Sequence, residues 1–250
     1  MRDEASGQCA GLGTAVDETA GVCVLTLEGV LGVRTAPELD RVLHKLLLDR
    51  GRLLVDVGRL GLSSTAALAT FPSALAAVGG WPAARMVLFA AGGPVIEGMA
   101  QAGRHREVPV ATRRAEALAL LDRRPARVRR STDLPAGPAA APFARLLLRS
   151  ACEDWGLPAE LVERAAIVTN ELVSNAVQHT LGPGDLTLAH SSRGLWVSVR
   201  DGSAARPVLT AESDGLGLRA VAELSSTWGV TPLGSGKAVW ALVAEGDAAG

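Results

Sequence analysis

Apolar and polar positions fall into two stretches with different periods. Between about Thr14 and Asp122, short apolar runs alternate with segments of helical spacing. Val22-Cys23-Val24-Leu25-Thr26-Leu27 is apolar and β-branched and predicts a strand. Pro37 opens a predicted helix to about Asp49, with Leu39, Val42, Leu43, Leu46 and Leu47 at helical spacing. Leu53–Val57 predicts a short buried strand, Ala66–Val78 a helix, and Gly79-Gly80-Trp81-Pro82 a turn. A strand at Met86–Ala90, a short helix at Pro94–Ala102, a strand at Val108–Ala111 and a helix at Arg114–Leu121 complete the stretch. Such alternation predicts parallel strands with helices packed on them. Residues 1–12 are small and polar and read as a disordered tail.

The second stretch has another order. Helices are predicted at Ala139–Asp154, closed by Gly156 and Pro158, and at Glu160–Thr180. Strands follow at about Asp185–His190 and Leu195–Asp201, the latter alternating at Leu195, Val197 and Val199. A Gly/Ser/Pro-rich loop covers Gly202–Gly217, then a helix at Leu218–Leu224 and strands at Trp228–Pro232 and Lys237–Val243. Helices gathered on one face of a mixed or antiparallel sheet make an α+β sandwich. Between the stretches lies Arg123-Arg124-Pro125-Ala126-Arg127-Val128-Arg129-Arg130, either a solvated linker or a patch for an anionic partner. It carries no interleaved aromatic residues to stack bases.

Composition narrows the function classes. The chain has 250 residues, 48% apolar and 20% charged, which is ordinary globular usage and enough for two cores. Its net charge of -1 asks for no nucleic-acid partner. Cys9, Cys23 and Cys152 are scattered, so neither a disulfide framework nor a zinc site is expected. No apolar run reaches about 18 residues and no leader pattern opens the chain, so a soluble cytoplasmic protein without a membrane segment is expected.

Chemistry concentrates in the long helix of the second half. Leu161, Ala165, Val168, Leu172 and Ala176 form its apolar stripe, while Glu171, Asn175 and His179 are spaced by four on another face. That column is either a solvated polar face or a set that positions a cation and a hydroxyl: Asn as a neutral oxygen ligand, Glu as a base. Asp201, at a strand end before Gly202, is either a turn carboxylate or an acceptor for a base's amino group. Asp214-Gly215-Leu216-Gly217-Leu218 is either a plain loop-to-helix turn or a place where backbone N–H groups approach phosphate.

Taken in order, a Glu-x-x-x-Asn helix, an Asp at a strand end and a Gly-x-Gly-Leu helix start resemble the ATP-binding fold shared by histidine kinases, Hsp90 and gyrase. The subtype is similar to the anti-sigma-factor serine kinases, with Glu171-Leu172-Val173-Ser174-Asn175-Ala176-Val177-Gln178-His179 as the N box. Gly236-Lys237-Ala238-Val239-Trp240 and Trp228-Gly229-Val230 are similar to members of that subtype as well. The resemblance covers about Arg130 to Ala244 and implies ATP and Mg²⁺ as cofactors. It implies that Asn175 coordinates the Mg²⁺, that Glu171 is the base and that Asp201 reads the adenine amino group. It places His179, Gly215, Leu216, Gly217 and Leu218 around the nucleotide, the two glycines within a lid. The sequence departs from the family's Asp-x-Gly, since Gly202 follows Asp201 directly and Ser203 comes next.

The first stretch, with Glu28-Gly29-Val30-Leu31 after its first strand and Asp56-Val57 in its second, resembles a STAS domain, the fold of anti-sigma-factor antagonists. Such domains carry their phosphorylated serine in an Asp-Ser-Ser-Gly turn. Aligned without gaps, this chain reads Ser64-Thr65-Ala66-Ala67 there, so the acceptor position falls on Ala66. Ser63, Ser64 and Thr65 are its hydroxyl neighbours, and no phosphate is expected on them.

The expected fold class is therefore α/β plus α+β. A STAS-like sheet with helices spans 13–122, an Arg-rich linker 123–130, and a two-layer α/β sandwich of the histidine kinase/Hsp90 type 131–245. The implied function is an ATP-dependent protein serine/threonine kinase that phosphorylates a STAS-type antagonist and so acts on a sigma factor. The alternative is a non-catalytic module that regulates such a partner by exchange. Members of that kinase family often dimerise, so a homodimer is among the expected arrangements.

Overall fold

The structure is a computed structural model. It describes residues 11–19, 21–179, 184–202, 216–234 and 236–245. The chain divides into two compact units after Pro125.

In the first unit, strands β1 (Gly13–Thr19), β2 (Val22–Leu31), β3 (Arg52–Leu62), β4 (Arg85–Phe89) and β5 (Val110–Ala111) lie side by side in chain order. β1 is antiparallel to β2; every other pairing is parallel. Helices α1 (Ala36–Arg50), α2 (Thr70–Ala77), α3 (Pro94–Gln101) and α4 (Arg114–Leu121) supply the cover. Leu25, Leu27, Leu53 and Val55 pack with Leu39, Leu43, Phe71 and Met99 from α1, α2 and α3. Their sequence neighbours Val24 and Leu54 point the other way, against Ala117 and Leu121 of α4. Side chains alternate across a strand, so a sheet covered on both faces needs unbroken apolar runs. That is why residues 22–25 and 53–55 carry them.

Three features of this unit differ from expectation. β1 is unannounced because residues 13–18 are exposed and lack an apolar pattern; its backbone ladder with β2 holds it. Leu12, expected within the tail, is 7% exposed and belongs to the core; residues 1–10 of that tail lie outside the described residues. The expected helix at 66–78 begins as a 3-10 segment, Thr65–Ala69, before α2. Pro72 fits the first turn of α2, where its missing N–H has no intrahelical acceptor to lose.

The second unit comprises β6 (Val128–Asp133), α5 (Ala140–Asp154), α6 (Ala159–His179), β7 (Asp185–Ser191), β8 (Gly194–Asp201), α7 (Leu216–Leu224), β9 (Thr227–Pro232) and β10 (Lys237–Val243). The sheet order is β6-β7-β8-β10-β9, antiparallel throughout. α6 packs on β8 and β10, with α5 on one side and α7 on the other. Leu195, Val197 and Val199 of β8 and Val239, Ala241 and Val243 of β10 are buried beneath the helices. On the opposite face the Trp196 and Trp240 rings stack with centroids 4.4 Å apart. Among the described residues no helix is long and apolar enough to cross a membrane.

Residues 128–130 of the expected linker are the start of β6, paired with β7. Val128 and Arg130 alternate inward, at 2% and 7% exposure. The Arg130 guanidinium donates to Asp154 at 2.6 Å and lies 6.0 Å from the centre of the Trp155 ring. The charge run hid a period of two. Removing one partner of a largely buried, hydrogen-bonded pair strands the other, although Asp154 is partly exposed and so partly rehydrated. Arg130→Ala is therefore expected to lower the unfolding free energy of the second unit by about 2 kcal/mol in urea titrations. A change below about 0.5 kcal/mol would return Arg130 to the class of surface charges.

Candidate functional site

The flank of α6 that carries Glu171 and Asn175 is located by Arg164. Its guanidinium donates to the carbonyl of Ala244, just past the end of β10. Glu171 is seven residues further along and Asn175 eleven, which at 3.6 residues per turn keeps all three within about 40° of azimuth. Asn175 lies about 16 Å along the axis from Arg164, toward the start of β10. The stripe Leu161, Ala165, Val168, Leu172 and Ala176 is buried as expected, joined by Thr169 and Val173. Glu171 and Asn175 border it and are half-buried. The carboxamide nitrogen of Asn175 is buried and has no hydrogen-bond partner among the described residues. An unanswered buried amide costs about 1–3 kcal/mol and in a native site marks a place for a ligand or water.

Asp201 ends β8 on the helix-covered face, continuing the inward row Leu195-Val197-Val199, and is 6% exposed. Directly across the ladder stands Lys237, the first residue of β10, itself 5% exposed. Its Nζ donates to Asp201 Oδ1 at 2.9 Å. Backbone is crowded here. A Cβ on Gly236, whose φ is +94°, would overlap the carbonyl oxygen of Asp201, and one on Gly184 would overlap that of Arg200. Only residues 180–183 separate the end of α6 from Gly184. Gly184, the end of β8 and the start of β10 thus meet at one end of the sheet.

The remaining expected residues divide. His179 is the last residue of α6, with its side chain outside the described residues. Gly215 and most of the expected loop, residues 203–215, also lie outside them. The loop does not extend to Gly217 as expected: α7 begins at Leu216 and places Gly217 in its first turn. Leu218 is 8% exposed and one turn from the buried Val221, so its side chain packs into the core. Lys237 and Gly184 were not singled out from the sequence. The signal for Lys237 was available: it is the one charged residue in the inward row Lys237-Val239-Ala241-Val243.

In the first unit, the Ser63 backbone N–H and hydroxyl both donate to the carbonyl of Leu31, at 2.9 and 3.3 Å. Ser64 precedes the 3-10 segment with extended backbone, and Thr65 and Ala66 are exposed in its first turn.

Chemically, the second unit offers a carboxylate at the end of β8 that accepts hydrogen bonds and, on α6, a carboxamide with an open donor and a further carboxylate one turn away. This donor set suits a ligand with an amino group at one end and a cation-bound oxyanion at the other. Asn175 and Glu171 could address the cation-bound end, and Asp201 the amino group.

No protein-family model matches the sequence, and no curated protein matches it. Solved structures do. The chain is similar to an anti-sigma factor antagonist from Mycobacterium paratuberculosis, at 19% identity and a TM-score of 0.40 over 45% of this chain and 96% of that one. It is similar to the unphosphorylated anti-sigma factor antagonist SpoIIAA, at 13% identity and a TM-score of 0.31 over 43% of this chain and 94% of that one. A protein from Shewanella loihica with a SpoIIAA-like fold matches at 18% identity and a TM-score of 0.32, over 46% of this chain and 98% of that one.

The crowding around Asp201 yields a controlled comparison. Gly236→Ala is expected to destabilise the second unit by about 2 kcal/mol or more, through both its positive φ and the overlap with Asp201. Gly202→Ala, where a Cβ meets nothing within 4 Å, is expected to change stability by less than about 0.5 kcal/mol. Equal melting temperatures for the two variants would remove the close approach from the account.

Proposed function

We propose that the chain is a partner-switching regulator whose second unit binds Mg-ATP and acts as a protein serine/threonine kinase of the anti-sigma-factor type. Its substrate is a hydroxyl on a separate STAS-type antagonist, and a sigma factor is the downstream partner. The observations that support this reading best are the buried, inward-facing carboxylate of Asp201 at the end of β8 and the unanswered buried carboxamide nitrogen of Asn175 on α6.

In this reading Asp201 accepts from the exocyclic amino group of adenine. Asn175 would hold the cation through its carboxamide oxygen, and Glu171, one turn back, would take the proton from the acceptor hydroxyl as its oxygen bonds to the γ-phosphorus and the bond to the bridging oxygen breaks, releasing ADP. Bound Mg-ATP supplies the phosphoryl group and the neutralisation of charge that its transfer requires. The protein's part is positioning, so small displacements of these side chains are costly. The first unit serves by contact: Ala66 has no oxygen to attack phosphorus, and the Ser63 hydroxyl is committed to Leu31.

A second reading is a binding module without catalysis, with or without nucleotide. It is favoured by one observation, that the ammonium of Lys237 already sits on Asp201.

Titration calorimetry with Mg-ATP tests the first step. Asp201→Asn is expected to weaken binding about 5- to 150-fold, because an amide presents a donor to a donor. Unchanged affinity would remove Asp201 from base recognition. Phosphoryl transfer to a STAS-type partner tests the second. Glu171→Ala is expected to bind ATP with near wild-type affinity and to lose transfer, while Asn175→Ala loses the Mg²⁺-dependent part of binding. No phosphate is expected in the peptide holding Ser63, Ser64 and Thr65. Wild-type transfer rates in both helix variants would make the Glu171 and Asn175 column a solvated face, and absence of transfer by wild type would leave the binding module as the function.

A further inference from the structure

Arg164 directs its charge at a backbone carbonyl. Glu160, one turn before it on α6, stands where an i,i+4 carboxylate ordinarily takes an arginine on a helix surface. The guanidinium bonds the carbonyl of Ala244 instead, and its Nε is buried with no hydrogen-bond partner among the described residues. The chain it reaches is itself held in place. Gly194, the first residue of β8, has a φ of +113° and lies so close that a Cβ would come 2.3 Å from the Val243 carbonyl oxygen and 2.8 Å from the Ala244 Cα. His190 of β7 hydrogen-bonds the Glu245 carboxylate at 2.8 Å. Residues 243–245 are thus gripped by β7, by the start of β8 and, through Arg164, by α6.

We propose that Arg164 is a positioning residue for the α6 column: its bond to the chain just past β10 fixes the rotation of α6 about its own axis, and so sets the reach of Asn175 to the nucleotide-bound cation and of Glu171 to the acceptor hydroxyl. The inference rests on the nucleotide reading given above. The buried apolar stripe holds α6 on the sheet, but apolar burial has no direction of its own and leaves the helix some freedom to roll. A hydrogen bond is directional, and Arg164 shares the azimuth of Glu171 and Asn175 within about 40°. About 120° further round the helix, Asn170 accepts from the Arg145 guanidinium of α5 at 2.6 Å, so directional contacts hold α6 on two sides. A roll of about 10° would move a side-chain tip about 6 Å from the axis by about 1 Å. A displacement of that size can cost about 10²-fold in rate. Asp201 stands on β8 and does not move with such a roll, so the effect falls on the cation end of the site alone.

The experiment is calorimetry on the full chain with ATP in the presence of a chelator and with Mg-ATP. Wild type is expected to bind Mg-ATP more tightly than metal-free ATP. Arg164→Met is expected to keep wild-type affinity for metal-free ATP and to weaken Mg-ATP binding about 10- to 100-fold, the usual loss when a residue that orients a metal ligand is removed. Arg164→Gln, whose amide is too short to reach the same carbonyl, is expected to show the same selective loss and stands in for the Met variant should that one not fold. Arg164→Lys, which still carries a long donor, is expected to recover most of the Mg²⁺-dependent affinity. Wild-type affinity for Mg-ATP in the Met or Gln variant would overturn the role of Arg164 while leaving nucleotide binding intact. An equal loss with and without Mg²⁺, or a Lys variant as weak as the Met variant, would also overturn it and reduce Arg164 to a structural contact. Absence of ATP binding by wild type, or binding that ignores Mg²⁺, would instead overturn the nucleotide reading, and this proposal with it.

Discussion

A carboxylate facing the inside of a two-layer sandwich has to be met by a cation, and in the second unit this requirement sets the pairing of β8 with β10. Asp201 and Lys237 face each other in register, and the apolar positions behind them follow at intervals of two. A slip of one residue would turn Lys237, Val239, Ala241 and Val243 to the opposite face together and leave Asp201 buried without its partner. β9 is paired to β10, and α7 packs on β9 and α6, so the placement of both follows from the same register. Two glycines make the approach feasible. Gly184 and Gly236 bring backbone against the last residues of β8 where any Cβ would collide. The candidate site therefore occupies the place where the sheet is most tightly specified, which suits a function that depends on positioning.

The face away from the helices follows a different rule. Trp196 and Trp240 stack there, Gly229 leaves room for the Trp240 ring, and the indole N–H of Trp240 donates to Thr231 at 3.1 Å. Arg200 pairs with Asp185 on the same side. Burial raises the carboxyl of Asp185 above its usual range, with the Arg200 charge opposing that rise and the Asp133 charge adding to it. Aromatic stacking and a row of hydroxyls and charges give this face a structure of its own while β8 and β10 keep strict apolar alternation on the other.

Much of this was legible in the chain. Apolar runs at 22–25 and 53–55 announced parallel strands with helices packed on them, and alternation at Leu195, Val197 and Val199 announced a sheet with its helices on one face. The apolar stripe of α6 was readable because helical period and burial coincide there, although Thr169 and Val173 are buried beside it. What stayed hidden has a common cause: it depends on pairing between distant segments. β1 is held by backbone hydrogen bonds that any sequence can make. Arg130 reads as one charge in a run of charges until Asp154 and Trp155 are brought to it. Asp201 was legible as a strand-end carboxylate, but its partner lies 36 residues away and becomes visible only once β10 is laid against β8. The start of α7 at Leu216 overrode the two glycines that read as loop, because Leu218 and Val221 reward an extra turn with a buried face.

The two halves of the proposal constrain each other through what the first unit lacks. With Ala66 at the expected acceptor position and the Ser63 hydroxyl held by Leu31, a contact made by the first unit has no covalent switch of its own. A contact that is always available carries no information unless something else varies, and under the proposed reading the variable left is occupancy of the nucleotide site. A ligand that binds one state of a protein shifts that state by RT ln(1 + [L]/Kd), about 2.7 kcal/mol at a hundred times Kd. That is sufficient to bias a partner's choice between two assemblies. It works only if the site answers to one abundant nucleotide rather than to any, since a promiscuous site is always full. Under the proposed reading, occupancy of that site is what the chain would report to a partner, whether or not it also transfers phosphate.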